Sequence, residues 1–196
     1  MTGISPGDIF LRGKYVLLKA LTEEDVRSSN WYGWFNDERA TQYLQKHHFP
    51  NTRELQFAFL RNELEGSTTK LQLGICDAIS GGPIFGIVSL QNIDYISRDA
   101  EFSIVIGEEK YRHVKYFIEA AQLMMRHGFS TLNLHRIHTG TFMPNVVELM
   151  ARTLGGRAEG LLRQAVYKNG RYHDVTLFGV LADEFKEDVV EVEPGE

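Results

Sequence analysis

Apolar residues along this chain recur in short strand-length runs and in longer stretches of helical period, and each change of period falls at a turn residue. KYVLLKAL (14–21) reads as a strand, and Thr22 then offers an N-cap ahead of the acids in TEEDV, which predicts a helix start. The aromatic stretch NWYGWFNDERATQYLQ (30–45) is broken by Gly33 and Asn36-Asp37 and predicts short helical pieces. Asn51-Thr52 opens another helix, RELQFAFLRNEL, which Gly66 ends. KLQLGICDA and PIFGIVSLQNI predict two strands joined as a hairpin across Ser80-Gly81-Gly82. EFSIVIG (101–107) is the next strand and residues 116–129 a helix. HRIHTGTF (135–142) is a strand, and Asn145 leads into a short helix stopped by Gly155-Gly156. The last run, 161–181, folds as a hairpin at Asn169-Gly170, the pair a tight primed turn prefers. Strands and helices in this order predict one domain with a mixed sheet flanked by helices, of α/β or α+β class.

The stretch KYRHVKYFIEAAQ (110–122) stands where a strand turns into a helix N-terminus. Free backbone N–H groups and the positive dipole end suit an anion there. Glycine usually lets such a ligand approach, yet none lies between Gly107 and Gly128.

Composition narrows the class. A chain of 196 residues, 43% apolar and 24% charged, is a soluble globular protein large enough for one core. A single cysteine, Cys76, excludes an internal disulfide and a cysteine-based zinc site. MTGISPGDIFLRGKY has no apolar core of signal-peptide length, and no run approaches the roughly 18 apolar residues of a membrane span. The expectation is a cytoplasmic protein without a membrane partner. The net charge of −5 is local, because residues 183–196 hold seven acids against one lysine. We therefore expect a domain over 1–182, carrying +1, and an acidic, solvated tail over 183–196. With no basic stripe interleaved with aromatics, nucleic acid is not an expected partner.

The words and their order resemble the GCN5-related N-acetyltransferase (GNAT) family over about residues 11–185, with the RimJ/RimL-type and amino-sugar branch as the nearest likeness. LRGKYVLLKALTEEDV, WFNDERATQYL, AEFSIVIG with its turn and helix, LNLHRI, the asparagine of FMPN and EGLLRQAVYKNGRYHDVTLFGVL carry the resemblance. It implies a mostly antiparallel sheet in which two central parallel strands, about 100–106 and 135–141, splay to hold acetyl-CoA or another acyl-CoA. The implied reaction is direct attack of an amine on the thioester. The acceptor would be a small molecule, an amino sugar or a protein N-terminus, with no metal, and relatives often form homodimers.

The resemblance assigns roles to individual residues. Glu101 matches a carboxylate that takes the amine proton, a sensible role because an ammonium must lose a proton to attack; an ordinary strand-end ion pair is the alternative. Ile104, Val105 and Ile106 supply backbone to the pantetheine arm. Arg112, His113, Val114, Lys115 and Phe117 occupy the pyrophosphate turn, where the family pattern Arg/Gln-x-x-Gly-x-Gly/Ala keeps only the arginine. Phe117 would crowd the turn and Lys115 would add a mobile charge. Asn145 matches a cofactor-contacting asparagine, or serves as a helix N-cap. Arg152 stands where a tyrosine acid is usual; arginine is a poor proton donor and would act only electrostatically. Trp34, Tyr172, His173 and Asp174 are candidates for the acceptor side, although Asp174 can equally brace its hairpin and the aromatics Trp31, Tyr32, Trp34 and Phe35 can be core.

His135-x-x-His138 is no zinc pair, because strand residues three apart face opposite ways. His47-His48 suggests a loop beside a substrate entrance, and Met124 and Met125 read as packing. The rival to an enzyme is a non-catalytic binding module that keeps the fold and has lost the cofactor loop.

Overall fold

In the computed structural model, which describes residues 6–42, 44 and 48–187, one sheet runs in the order β1-β2-β3-β4-β5-β6-β8-β7. Its strands are β1 (Ile9–Arg12), β2 (Val16–Ala20), β3 (Leu71–Asp77), β4 (Gly81–Asp94), β5 (Asp99–Ile106), β6 (Arg136–Thr141), β7 (Arg157–Lys168) and β8 (Arg171–Leu181). All neighbours pair antiparallel except β5 and β6. The mixed, mostly antiparallel sheet expected from the sequence is therefore present. Strand β1, only four residues, is the addition and is too short to stand out in the sequence.

Side chains alternate across the sheet and so define two layers. On one face α5 (Val114–Ser130) and α6 (Pro144–Leu154) bury Ala120, Ala121, Met124, Met150 and Leu154 against Val88, Leu90, Ala100, Phe102, Ile137 and Phe178. Met124 and Met125 are thus packing residues, as their helical position implied. The other face carries α1 (Glu23–Ser28), α2 (Trp31–Trp34), α3 (Glu38–Thr41) and α4 (Arg53–Phe59), which continues as a wider π-helical turn through Leu64. There Val26, Trp31, Trp34 and Leu60 pack on Cys76, Ile84 and Ile87. Burial holds the Cys76 thiol protonated, its pKa pushed up to about 12.

Local chemistry explains the element ends. At the start of α1 the Asp25 carboxylate accepts the Thr22 N–H at 2.8 Å and, from the other side, the ammonium of Lys19, also at 2.8 Å. Thr52 caps α4 by accepting the Leu55 N–H. Asn169 and Gly170 both take positive φ, the conformation a two-residue primed turn demands. One expected cap differs. Met143 is the N-cap of α6 and Pro144 its first residue, so Asn145 lies inside the first turn.

Glu119 is a buried carboxylate that works outside the helix caps. From α5 it accepts the N–H groups of Lys14, Tyr15 and Val16 at 2.6–2.7 Å, pinning the β1–β2 turn to the helix. Gly13 is needed there, because a Cβ would strike that carboxylate.

The domain also extends beyond 182. Phe185 packs on Phe129, and the Lys186 N–H donates to the Leu154 carbonyl. The first residues expected in the tail are thus docked, while residues 188–196 lie outside the described residues. His47 lies outside them too, and His48 is exposed ahead of α4. Among the described residues no helix is long and apolar enough to cross a membrane.

Candidate active site

The parallel pair β5–β6 matches Asp99 with Arg136, Ala100 with Ile137 and Glu101 with His138, and then stops. Beyond that point β6 turns its pairing wholly to β8, as far as Thr141 opposite Thr176. A V-shaped gap therefore opens between residues 102–106 and 139–141, with Glu101 and His138 at its apex.

The exposed edge in this gap follows from backbone alternation. The Arg98 carbonyl accepts from β6-side groups (His135 N–H at 2.6 Å), whereas the Gly107 N–H donates to Phe85 on the β4 side. Even-numbered residues of β5 thus direct their N–H and C=O toward the gap. Ile104 and Ile106 present backbone there; Val105 points its backbone at β4 and its side chain into the α2 layer. Of the three positions, Val105 is turned from the gap, whereas Ile104 and Ile106 face it, the Ile106 carbonyl accepting from Arg112.

At the end of β5 the turn into α5 is braced rather than open. Arg112 folds back, its Nε donating to the Ile106 carbonyl (3.3 Å) and its Nη2 to that of Gly107 (2.8 Å). Beneath the turn lies Trp34, 1% exposed, whose indole N–H donates to Glu108 at 2.9 Å. A Cβ on Gly107 would run into this indole, so the glycine is required for the close approach. Trp34 is therefore not a wall of the acceptor pocket. It is a core residue that supports the turn from β5 into α5, as Trp31 is a core residue beside it.

Helix α5 begins after His113, which caps it without a side-chain bond. Tyr116 and Phe117 N–H groups reach the His113 carbonyl, and among the described residues the N–H groups of Val114 and Lys115 have no acceptor. The Lys115 ammonium lies over the rings of Tyr15 (5.3 Å) and Tyr116 (4.7 Å). Tyr116 in turn donates to Asp77 at the end of β3. Lys115 therefore leans over β2 and β3, away from the gap. Phe117, about 200° round the helix from it, is half-buried against the α5-side core. The mobile charge expected of Lys115 is thus turned aside, and Phe117, expected to crowd the turn, packs into the α5-side core.

The face of β5 and β6 turned away from α5 carries the polar residues. Asp99, Glu101 and Ser103 share that face on β5, and Arg136 and His138 on β6, because Ala100, Phe102 and Ile137 occupy the core face. Glu101 accepts from Asn92 at 3.0 Å. Asp99 accepts from Arg136 at 2.9 Å and lies 3.2 Å from Nδ1 of His138. Arg136 also pairs with Glu159, which sits where a side chain on Gly179 would be, and Gly179 is the β8 neighbour of His138. Two flanking carboxylates hold the Arg136 guanidinium charged, its pKa above the ordinary arginine value.

The β7–β8 hairpin tip bends over this face. Lys168, just before the turn, donates to the carbonyls of Thr41, the last residue of α3, and of Leu44 beyond it. Burial lowers its pKa from the ordinary lysine value. Asp174 accepts the Gln164 N–H at 2.7 Å and so closes the β7 bulge, where Gln164 has φ +52°, a bracing role. His173 stacks near Phe142 (5.2 Å), and Tyr172 is exposed against Tyr167. Asn145 and Arg152 lie on one exposed stripe of α6, two turns apart.

Arg136, His138, Asp99 and Glu159 were not singled out as site residues in the sequence. The available signal was charge at alternate positions, Asp-Ala-Glu and Arg-Ile-His, inside otherwise apolar strands. The His135-x-x-His138 spacing drew attention to metal binding instead. His135 lies before β6, and among the described residues no group of His, Cys, Asp and Glu could hold a metal ion.

Comparison with known proteins agrees with this architecture. The chain is 34% identical over 90 residues to the spermidine N(1)-acetyltransferase of Escherichia coli strain K12, covering 45% of this chain and 48% of that protein. It is 33% identical over 104 residues to the Vibrio cholerae spermidine N(1)-acetyltransferase, covering 52% and 59%. The chain thus spans about half the length of the curated relatives it matches. The crystal structure of the Vibrio cholerae spermidine N-acetyltransferase in complex with CoA and spermine superposes with a TM-score of 0.78 over 88% of this chain and 98% of that one, at 24% identity, a likeness of fold. A sequence profile of the acetyltransferase (GNAT) domain matches residues 16–148, and the chain belongs to the GNAT acetyltransferase family.

Proposed function

We propose that the protein is an acetyl-CoA-dependent N-acetyltransferase whose acceptor is a small cationic amine of the polyamine class. The observation that carries this reading is the gap between β5 and β6, with the open backbone of Ile104 and the Ile106 N–H along one side and the carboxylate of Glu101 at its apex. Open backbone and N–H groups fit an acyl-CoA. Ile104 and the Ile106 N–H would pair with the amides of the pantetheine arm, and the N–H groups of Val114 and Lys115, with His113 beside them, would take the pyrophosphate. Arg112 holds the turn through the Ile106 and Gly107 carbonyls, and Phe117 would flank it. Asn145 and Arg152 would line the α6 side, Arg152 contributing positive charge near the sulfur. When bound, acetyl-CoA supplies the activated acyl group as a thioester.

The acceptor would enter from the opposite face, under the β7–β8 hairpin. Glu101, Asp99 and Glu159 bring three carboxylates there against one guanidinium, which favours a cation. Glu101 holds the ammonium at the apex and orients it, and Tyr172 and His173 form the rim. Relatives named as spermidine acetyltransferases support this class of acceptor; a protein N-terminus is the other acceptor the fold can serve. A binding module without catalysis is not favoured, because Lys115 leans away over Tyr15 and Tyr116 and Arg112 takes only the Ile106 carbonyl at the end of the gap.

Calorimetric titration with acetyl-CoA and with CoA tests the cofactor half of this reading. The expected result is binding with Kd in the range of about 1–100 μM, equivalent to roughly 5–8 kcal/mol, and thermal stabilisation that grows with ligand. No heat and no stabilisation at millimolar ligand would overturn it.

A further inference from the structure

We infer that His138, oriented by Asp99, is the base that takes the proton of the acceptor ammonium, with Glu101 holding the charge rather than removing the proton. This rests on the acetyltransferase reading above. Glu101 and His138 are the last paired residues before the strands part, so they stand side by side at the apex, about 4.8 Å apart across the sheet. Both point to the face opposite α5.

Their surroundings differ in the way that separates a holder from a base. Glu101 is met by a neutral amide, Asn92. His138 has its Nδ1 on the Asp99 carboxylate at 3.2 Å. With Asp99 accepting, Nδ1 carries the hydrogen and Nε2 keeps a lone pair for the substrate side. Asp99 is itself fixed by Arg136, and Arg136 by Glu159, so three residues from β7 through β6 to β5 set the ring. A base oriented by a third group is the arrangement that general-base catalysis uses. Imidazole is also better matched than a carboxylate to proton transfer near neutral pH.

Among the described residues of the neighbouring strands, the groups on the face of His138 are Asp99 and Glu101 on β5, Arg136 on β6, Glu159 of β7 over Gly179, and Gly179 and Leu177 on β8. In the step, an N–H bond of the ammonium breaks and an Nε2–H bond forms. The freed electron pair on the amine then attacks the acyl carbon. The second amine proton leaves with the departing thiolate or to solvent, and His138 returns its proton to water.

The test combines kinetics with a measurement that needs no turnover. Nitrogen-15 NMR of the histidine side chains in the wild-type protein should show the neutral His138 ring as the Nδ1–H tautomer, and Asp99→Asn should change that tautomer. His138→Gln should lower kcat by about 100-fold or more with KM for the amine changed less than threefold, while Glu101→Gln should chiefly raise that KM. Imidazole added to His138→Gly should restore rate in proportion to its concentration. An Nε2–H tautomer in the wild type, or His138→Gln retaining full kcat in an active and folded enzyme, overturns the inference. A wild type that transfers no acetyl group would overturn the functional reading, and the tautomer would still report on the dyad.

Discussion

Replacing Trp34 with alanine is expected to lower stability by about 3–5 kcal/mol, the loss typical of a buried Trp truncated to Ala. The side chain is 1% exposed, packs in the cluster with Val26, Trp31, Leu60, Cys76, Ile84 and Ile87, and fills the space against Gly107. Its loss also strands Glu108, whose carboxylate accepts the indole N–H. The consequence for function is specific, because the same indole supports the turn that leads from β5 into α5. Urea unfolding should show the lowered midpoint, and CoA affinity, measured well below the melting temperature, should fall as well. A loss under about 1 kcal/mol with unchanged CoA affinity would show that the turn stands without this support.

The second large effect belongs to Glu119. Its carboxylate accepts three consecutive N–H groups at 2.6–2.7 Å, and the Val16 end is fully buried. Hydrogen bonds to a charged group contribute more than neutral ones, and buried donors left without an acceptor are costly. Glu119→Ala should therefore destabilise by roughly 3 kcal/mol or more, with the damage centred on β1 and the β1–β2 turn. Glu119→Gln, which keeps the shape but offers one acceptor oxygen, should fall between. Amide hydrogen exchange checks the location: the N–H groups of residues 14–16 should lose protection first. Equal loss of protection across the sheet would contradict the pinning role.

Much of the fold was legible because strand and helix periods, Thr22, Thr52, Asn169-Gly170 and Gly155-Gly156 act locally, and local chemistry is written in neighbouring residues. The splay between β5 and β6 was legible only through the resemblance, since pairing that stops after Glu101–His138 depends on two strands far apart in sequence. Long-range contacts explain what was misjudged. Trp34 sits in an aromatic run that suits a pocket wall, but its place under Gly107 is set by a strand more than seventy residues on. Lys115 is expected to bring its charge to the turn because sequence gives no direction for a side chain; Tyr15 and Tyr116 draw it the other way. Asp174 was assigned two roles, and the β7 bulge selects the bracing one. The Glu159–Arg136–Asp99–His138 chain joins three strands, and no single segment announces it.

The most direct measurement of the central claim is acetyl transfer from acetyl-CoA to spermidine, followed by thiol release and by the mass of the product. The account predicts one acetyl group added to the polyamine, with CoA released in equal amount and a rate that depends on Glu101 and His138. Absence of product with spermidine, spermine, simple amines and an N-terminal peptide alike, in protein that binds acetyl-CoA, would contradict it.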